Sequence, residues 1–398
     1  MTLKLRWTHG VAAGGLLASV ACGSAKHTPQ TASVPAAPTS AGLATPSVPI
    51  TAPESTFGRT FARLSEAGGY FASENVVSNE RSYLHVLDAV RRVGVKGGAY
   101  IGVGPDQNFS YIAAIKPEVA FIFDIRRDDM LEHLLFKAVF AMSQNRIGYV
   151  CTLLAKPPPA DADAWTNRSI ADIIAYVDKT PASVDFAKTS EQEIERRVAA
   201  FGIVLDANDI YTVSVYRAAF IRNGLDVQYS SIDNGRMGNM PVWRDLLVEV
   251  DRAGKQLNFL AADSLFQYIK GMEAANKIIP VTGNVAGPKA LRAVGGEIRA
   301  RGLVVSAFYV SNVEQYIMRD GSFILFAENV KTLPTDDHSV FIRSIFASGR
   351  GGFSYHPLSV PGYNSTQLLQ YMNTFITEFD AGRIRTYNQL LDHGYITP

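Results

Sequence analysis

The predicted fold of this chain is decided by one stretch, Gly97-Gly98-Ala99-Tyr100-Ile101-Gly102-Val103-Gly104-Pro105-Asp106-Gln107-Asn108. It predicts a short buried strand over 99–103, broken by Gly102 and Gly104, and a helix that begins near Asn108. An apolar run over 119–123 follows and ends on Asp124. Strand, glycine turn, helix, strand and terminal acid is the layout of a nucleotide-binding βαβ unit. For the two glycines taken alone, a tight turn without a ligand is the alternative.

Strands alternate with helices along the rest of the chain. Apolar runs predict further strands over 257–262, 277–281, 303–310, 323–326 and 340–346. Each run is nearly continuous, which is typical of strands in a parallel sheet covered on both faces. Residues from about 156 to 256 follow a Lys-Pro-Pro-Pro breaker and are mostly helical in pattern. The sequence therefore predicts an α/β fold with a mostly parallel, doubly wound sheet and a helical insertion over about 156–256.

The first 56 residues differ in composition from the rest. Lys4 and Arg6 precede a short apolar segment over 11–20, which ends in Ala-Cys22-Gly. This segment resembles a bacterial lipoprotein signal, so residues 1–21 are expected to be removed and Cys22 to be acylated. Residues 22–56 are rich in Ala, Ser, Thr and Pro and predict an extended tether. We therefore expect an exported lipoprotein on the periplasmic face of a membrane or in the cell envelope, with residues 57–398 as its folded domain.

Composition and residue spacing argue against several classes of site. The formal net charge is +1 and no long basic run occurs, so nucleic acid is not an expected partner. No His, Cys or carboxylate group has the spacing of metal ligands, and no Gly-x-Ser-x-Gly elbow occurs. The second cysteine, Cys151, lies in an apolar run and is interpreted as a buried small hydrophobe. A small molecule is the expected ligand, the membrane is expected to be contacted through lipidated Cys22 only, and the oligomeric state is left open.

Polar residues follow most of the predicted strands. In open α/β sheets, ligands bind beyond the carboxyl ends of the strands. These residues are ordinary turn formers when taken singly, but together they favour a polar pocket. They are Gly102 and Gly104, Asp124, Asp263, then Thr282, Gly283 and Asn284, and finally Asn312, Glu314 and Gln315. Two polar loops have two interpretations each. The loop over 73–80 is either a helix cap from Ser78 or Asn79 or a loop over the pocket, and the loop over 233–241 is either a flexible turn or a mobile lid.

This arrangement resembles the class I S-adenosylmethionine-dependent methyltransferases. The resemblance implies that Gly102 and Gly104 wrap the methionine part, that Asp124 holds the ribose, and that Asp263 contacts the adenine. It implies S-adenosylmethionine as cofactor and places Thr282 and Asn284 at the catalytic strand end. We predict the cofactor-binding residues Asn79, Gly102, Gly104, Asp106, Gln107, Asn108, Asp124 and Asp263, and the catalytic candidates Thr282, Asn284 and Glu314. The sequence departs from the family pattern in that Tyr100 stands in place of the first acid and Asp106 in place of the next glycine.

A narrower resemblance covers roughly residues 60–350. The segments that carry it are 73–80, 101–109, 123–127 and 306–316. They resemble an uncharacterised bacterial family of hypothetical proteins, catalogued from a leptospiral member with a methyltransferase-like Rossmann fold. This resemblance implies a fold and no established reaction.

Two functions follow from these patterns. The first is an enzyme of methyltransferase-like fold, although an exported protein works where S-adenosylmethionine is not expected to be supplied. The second is a lipid-anchored binding module that has lost the cofactor, with ligand choice set by Asn75, Asn79, Asp106, Asn108, Asn312 and Gln315. A purely structural envelope protein would explain the tether but not the polar strand ends.

Overall fold

The computed structural model describes residues 55–230, 232, 238, 240–346, 356–392 and 394–397. The predicted signal over 1–21, Cys22, nearly all of the tether and most of the 233–241 loop lie outside these residues. Within the described ranges, none of the helices has the length and apolar character needed to cross a membrane.

The described strands form one mixed sheet. They are β1 (Ala99–Val103), β2 (Val119–Asp124), β3 (Ile278–Thr282), β4 (Val305–Ser311), β5 (Val340–Phe346), β6 (Ser365–Tyr371) and β7 (Tyr395–Ile396). Their order across the sheet is β3-β2-β1-β4-β5-β6-β7. The first five pair in parallel, whereas β6 is antiparallel to both of its neighbours. The predicted α/β class and mostly parallel sheet are confirmed.

Helices precede, connect and follow the parallel strands. They are α1 (Thr56–Leu64), α2 (Leu87–Arg92), α3 (Gln107–Ile115), α4 (Arg127–Met142), α5 (Arg146–Leu153), α6 (Ile170–Lys179), α7 (Val184–Ala200), α8 (Ala207–Asn223), α9 (Trp243–Val248), α10 (Asp263–Ala274), α11 (Ala290–Ala300), α12 (Val313–Arg319), α13 (Phe323–Val330), α14 (Met372–Asp380) and α15 (Tyr387–Asp392). Short 3₁₀ turns cover Tyr83–Val86, Ala162–Asn167 and Gly224–Asp226. The helices α4 to α10 all lie in the connection between β2 and β3, which includes the segment predicted to be mostly helical.

Two predicted strands are wrong. Residues 257–262 form turns, in which Asn258 donates a hydrogen bond to the Tyr83 hydroxyl (2.9 Å) and accepts one from the backbone N–H of Leu260 (2.8 Å). The run over 323–326 forms the first turn of α13. Both runs are short and mostly apolar, and such a pattern does not separate a buried strand from a buried helix or turn. The third strand in chain order is therefore β3, and Asp263 begins α10 instead of ending a strand.

The strand β6 was missed because its sequence, Ser-Thr-Gln-Leu-Leu-Gln-Tyr, does not form an apolar run. Its polar side chains are nevertheless buried, since Gln367 and Gln370 are 4% and 2% exposed. Gln367 donates a hydrogen bond to Ser344 of β5 at 3.2 Å. When the polar side chains of a strand are buried by tertiary contacts, the sequence of the strand shows no pattern that would predict it.

The strand register brings the carboxyl ends of β1 to β4 to one edge of the sheet. Val103 pairs with Phe123, Asp124 pairs with Thr282, and Gly102 pairs with Tyr309. The chain runs from β1 outward to β2 and β3 on one side, and to β4 and β5 on the other. A change of direction of this kind opens a crevice outside the carboxyl ends of the strands, between β1 and β4.

Candidate functional site

A cavity of about 480 Å³ lies in this crevice. This volume is in the range of small-molecule sites, roughly 300–1,000 Å³. The strand ends contribute Val103, Gly104, Phe123, Asp124, Tyr309 and Ser311, and the turn after β3 contributes Gly283 and Asn284. The loop over 70–80 and the helix α12 close the remaining sides. Of the predicted site residues, the cavity brings together Asn79, Gly104, Gln107, Asp124 and Asn284.

The first glycine of the turn makes room for a side chain of the protein itself. A Cβ atom on Gly102 would lie 1.9 Å from Oδ1 of Asn108 and 2.7 Å from the ring of Tyr100. Asn108 Oδ1 accepts a hydrogen bond from the Tyr100 hydroxyl at 2.8 Å. Its Nδ2 donates to the carbonyls of Val103, Gly104 and Pro105 at 2.9, 3.1 and 2.8 Å. Gly102 and Asn108 therefore build the turn, and neither lines the cavity.

The second glycine lines the cavity and needs its own backbone conformation. Gly104 has a φ of +81°, in the left-handed region that glycine adopts without strain. The carbonyl of Gly104 accepts a hydrogen bond from Nε2 of His133, 2.9 Å away. His133 is buried, and burial lowers its pKa to about 4, so the ring is neutral at pH 7. His133 thus supports the turn from behind.

Asp106 is buried behind the turn and does not line the cavity. It accepts a hydrogen bond from the indole Nε1 of Trp243 at 2.8 Å. Burial raises the pKa of Asp106 to about 6, although the bond from Trp243 lowers it. This residue anchors α9 against the glycine turn, a role different from the predicted contact with a cofactor.

Asp124 lies at the end of β2 and lines the cavity. Its Oδ1 accepts a hydrogen bond from the backbone N–H of Arg126 at 2.7 Å. The contacts to Oδ2 are longer, 3.4 Å from Nη2 of Arg126 and 3.5 Å from Nδ2 of Asn75. Oδ2 is therefore the oxygen that has capacity left for a ligand hydroxyl.

The other acids of the prediction lie elsewhere. Asp263 starts α10 and is not part of the cavity lining. Glu314 forms a buried ion pair with Arg343, with N–O distances of 2.6 and 3.0 Å, and also lies outside the lining. A buried pair of this geometry has a structural role, because breaking it would leave one charge without compensation.

The turn after β3 is occupied by a carboxylate of the protein itself. Glu66 accepts hydrogen bonds from the backbone N–H groups of Asn284, Lys289 and Ala290 at 3.0, 3.2 and 3.3 Å. It thereby caps the start of α11, where a ligand anion would otherwise find free N–H groups. Thr282 is buried, and only Asn284 of the two candidates in this turn lines the cavity.

The loop over 73–80 lies along the cavity, so the second interpretation of this loop is correct. Asn75, Ser78, Asn79 and Glu80 all contribute to the lining. The alternative interpretation as a helix cap is wrong, because the 3₁₀ turn begins after Ser82 and has no side-chain cap. Asn312 also lines the cavity, whereas Gln315 does not.

Glu80 lies in the predicted loop but was not among the predicted site residues. It is 1% exposed, yet it borders the cavity. It accepts hydrogen bonds from the Tyr309 hydroxyl at 2.8 Å and from the Ser311 hydroxyl. Amide groups of Gln107 and Gln367 donate to its other oxygen at 3.3 and 3.2 Å. These partners come from β4, α3 and β6, so only the tertiary structure brings them together.

Two residues at the cavity hold a left-handed backbone without being glycine. Asn75 has a φ of 53° and Ser311 a φ of 52°. Such conformations cost of order 1–3 kcal/mol and are concentrated at functional sites. Their position in the lining is consistent with a ligand site. In the parts of the chain that the structure describes, no group of three or more His, Cys, Asp or Glu residues could hold a metal ion.

Comparisons with known proteins identify the family of the chain. No curated protein matches the sequence. A family model described as "Domain of unknown function (DUF7790)" matches residues 75–391, a range that begins in the loop along the cavity. The match covers most of the chain, which therefore belongs to the DUF7790 family.

Proposed function

We propose that the protein binds a small nucleoside-like ligand, S-adenosylmethionine or a chemical relative of it, in the cavity at the strand ends. The observation that carries the proposal is the position of Asp124. Its carboxylate lines the cavity at the end of the strand next to β1, with Oδ2 available to accept hydrogen bonds. An acid at this position is the group that holds ribose hydroxyls in nucleotide-binding sheets of this topology.

The sheet supports this proposal. The order β3-β2-β1-β4-β5 is that of a doubly wound, Rossmann-like sheet, in which the ligand lies at the change of direction. An antiparallel strand next to β5 fits a methyltransferase-like variant of this fold. With β3 as the third strand, Asn284 takes the adenine-side position that the sequence had assigned to Asp263. The end of β4, with Ser311 and Asn312, then faces the reacting part of the ligand.

The walls of the cavity suit a planar base next to a polar sugar. Phe71, Phe123, Val285 and Ile317 contribute apolar surface. Phe71 packs edge-on against Tyr316, with ring centroids 5.1 Å apart. An apolar wall with a few polar groups that fix orientation is the usual composition of a small-molecule site.

A non-catalytic binding module is the second candidate function. No His, Cys or Lys occurs among the described residues that line the cavity. Catalysis by an imidazole, a thiolate or an amine therefore has no side chain among these lining residues. Methyl transfer to a reactive acceptor could proceed without such a group. The enzyme and the binding module would therefore both bind the ligand, and only the enzyme would turn it over.

Export and lipidation complete the proposal. The signal-like segment over 1–21 and Cys22 support a location on the outer side of a membrane, where a lipid and the tether would hold the domain. A ligand at this location would have to come from the periplasm or the envelope. This location favours the binding module over an enzyme supplied with cytoplasmic S-adenosylmethionine.

Titration with S-adenosylmethionine and S-adenosylhomocysteine tests the proposal. Thermal unfolding is followed at ligand concentrations up to several millimolar, and binding is measured by calorimetry. We expect saturable binding that Asp124→Ala abolishes, because that change removes the acceptor for the ribose hydroxyls. Asp128→Ala is the matched control, since Asp128 is exposed nearby and does not line the cavity. Absence of binding by the wild-type protein to both ligands would overturn the proposal.

A further inference from the structure

The carboxylate of Glu80 has hydrogen-bond donors but no cation. Its four donors are two hydroxyls and two amides, all neutral. Among the described residues, no Lys, Arg or His forms an ion pair with it. The other interior carboxylate of the cavity, Asp124, lies 3.3 Å from Nε of Arg126. A buried carboxylate without a cation costs free energy, and one that borders a cavity is a candidate functional group.

Gln107 places an unused acceptor beside this charge. The residue is 3% exposed and lines the cavity. Its Nε2 donates to Oε2 of Glu80 at 3.3 Å, which fixes the orientation of the amide. Its Oε1 is buried and has no hydrogen-bond partner among the described residues. An acceptor left without a donor in this way costs free energy unless a ligand supplies the donor.

The charges around the cavity favour a positive ligand group. The lining contains the three carboxylates of Glu80, Asp124 and Asp320 and a single described cation, Arg319. Both Arg319 and Asp320 are exposed at the end of α12, where water screens them. Glu80 is therefore the carboxylate of the cavity lining that is buried without a cation.

We propose that the Glu80–Gln107 end of the cavity recognises a primary ammonium group of the ligand. The ammonium donates to Oε1 of Gln107 and neutralises the carboxylate of Glu80. An ammonium has three donors and no acceptor, which matches a negative site that offers acceptors. The inference rests on the proposed function for the nucleoside part of the ligand, but the ammonium subsite can be tested without it.

A matched pair of ligands isolates the ammonium. S-adenosylhomocysteine is compared by calorimetry at pH 7 with its analogue that lacks only the α-amino group. We expect the amino compound to bind at least tenfold more tightly to the wild-type protein. In Glu80→Gln the ratio is expected to fall to about one, because the charge is lost and the Gln107 amide turns over to offer Nε2 instead of Oε1. Gln107→Met, which removes the acceptor and keeps the charge, is expected to reduce the ratio as well.

Asp320→Asn is the control for charge alone, since Asp320 lines the cavity only at its exposed rim, and it should leave the ratio unchanged. If both nucleosides bind equally to the wild-type protein, the ammonium subsite is wrong and the proposed function stands. If neither nucleoside binds, n-butylammonium and n-butanol are compared by nuclear magnetic resonance titration. A preference for n-butylammonium that Gln107→Met weakens would then support the subsite without the nucleoside, and no preference would overturn both. If Glu80→Gln does not fold, the affinity ratio of the two ligands in Gln107→Met tests the ammonium subsite.

Discussion

Replacement of Gly102 by alanine tests whether the glycine turn is a structural device of this fold. The added Cβ atom would lie 1.9 Å from Oδ1 of Asn108, well inside van der Waals contact. It would also lie 2.7 Å from two atoms of Tyr100. Both neighbours are buried, so neither can move into solvent. The Asn108 side chain must therefore shift, and with it the bonds that hold the carbonyls of the turn.

The expected loss of stability has two parts. Overpacking a well-packed core costs about 1–3 kcal/mol. Each buried hydrogen bond lost from Asn108 adds about 1 kcal/mol, and two of its four bonds are lost if the amide rotates away. The free energy of unfolding should fall by about 3–5 kcal/mol in total.

Urea unfolding of three alanine variants measures this loss against matched controls. A Cβ atom on Gly104 would have no neighbour within 4 Å, but this position has a φ of +81°. We therefore expect Gly104→Ala to lower the free energy of unfolding by about 1–2 kcal/mol. Gly271→Ala lies in α10 with no atom within 4 Å of the new Cβ, and should gain about 0.5–1 kcal/mol. A loss at Gly102 no larger than that at Gly104 would refute the interpretation that Gly102 makes room for Asn108.

Two further predictions concern the interior acid and the N-terminus. The pKa of Asp106 rises from 3.8 to about 6 on folding, so the folded state holds the proton more tightly, and this group lowers stability as the pH rises from about 4 to about 6. At 1.36 kcal/mol per pKa unit, the wild-type protein should lose up to about 3 kcal/mol of unfolding free energy between pH 4 and pH 7, relative to the Asp106→Asn variant. If the difference in unfolding free energy between the two proteins does not change with pH, the raised pKa of Asp106 is refuted. Expressed in a bacterial host with its full leader, the protein should partition into the detergent phase of a Triton X-114 extract, and Cys22→Ser should move it to the aqueous phase; equal partitioning of both would argue against lipidation.

The parallel strands could be predicted because long apolar runs and glycine breaks carry a strong signal. The end of β2 at Asp124 and the turn at Gly104 were placed correctly by local pattern alone. The run over 257–262 misled the prediction, because an apolar turn in the core has the composition of a strand. That error displaced the third strand and made Asp263 a site residue.

The remaining site residues depend on contacts that are distant in sequence. Glu80 meets Tyr309 and Gln367 across 229 and 287 positions of the chain. Gly102 matched a ligand-binding motif, but its partner is Asn108 six residues later. The two glycines are thus required for different reasons. Gly102 leaves room for the side chain of Asn108, whereas Gly104 allows a left-handed backbone turn. Their spacing in the sequence does not distinguish these two roles.

The most direct measurement is a crystal structure of the protein soaked with S-adenosylhomocysteine at millimolar concentration. We expect electron density for the ligand in the cavity between β1 and β4, with the ribose hydroxyls on Oδ2 of Asp124 and the α-ammonium against Gln107 and Glu80. An empty cavity, or a ligand bound away from Asp124, would contradict the proposal that this pocket is a nucleoside site.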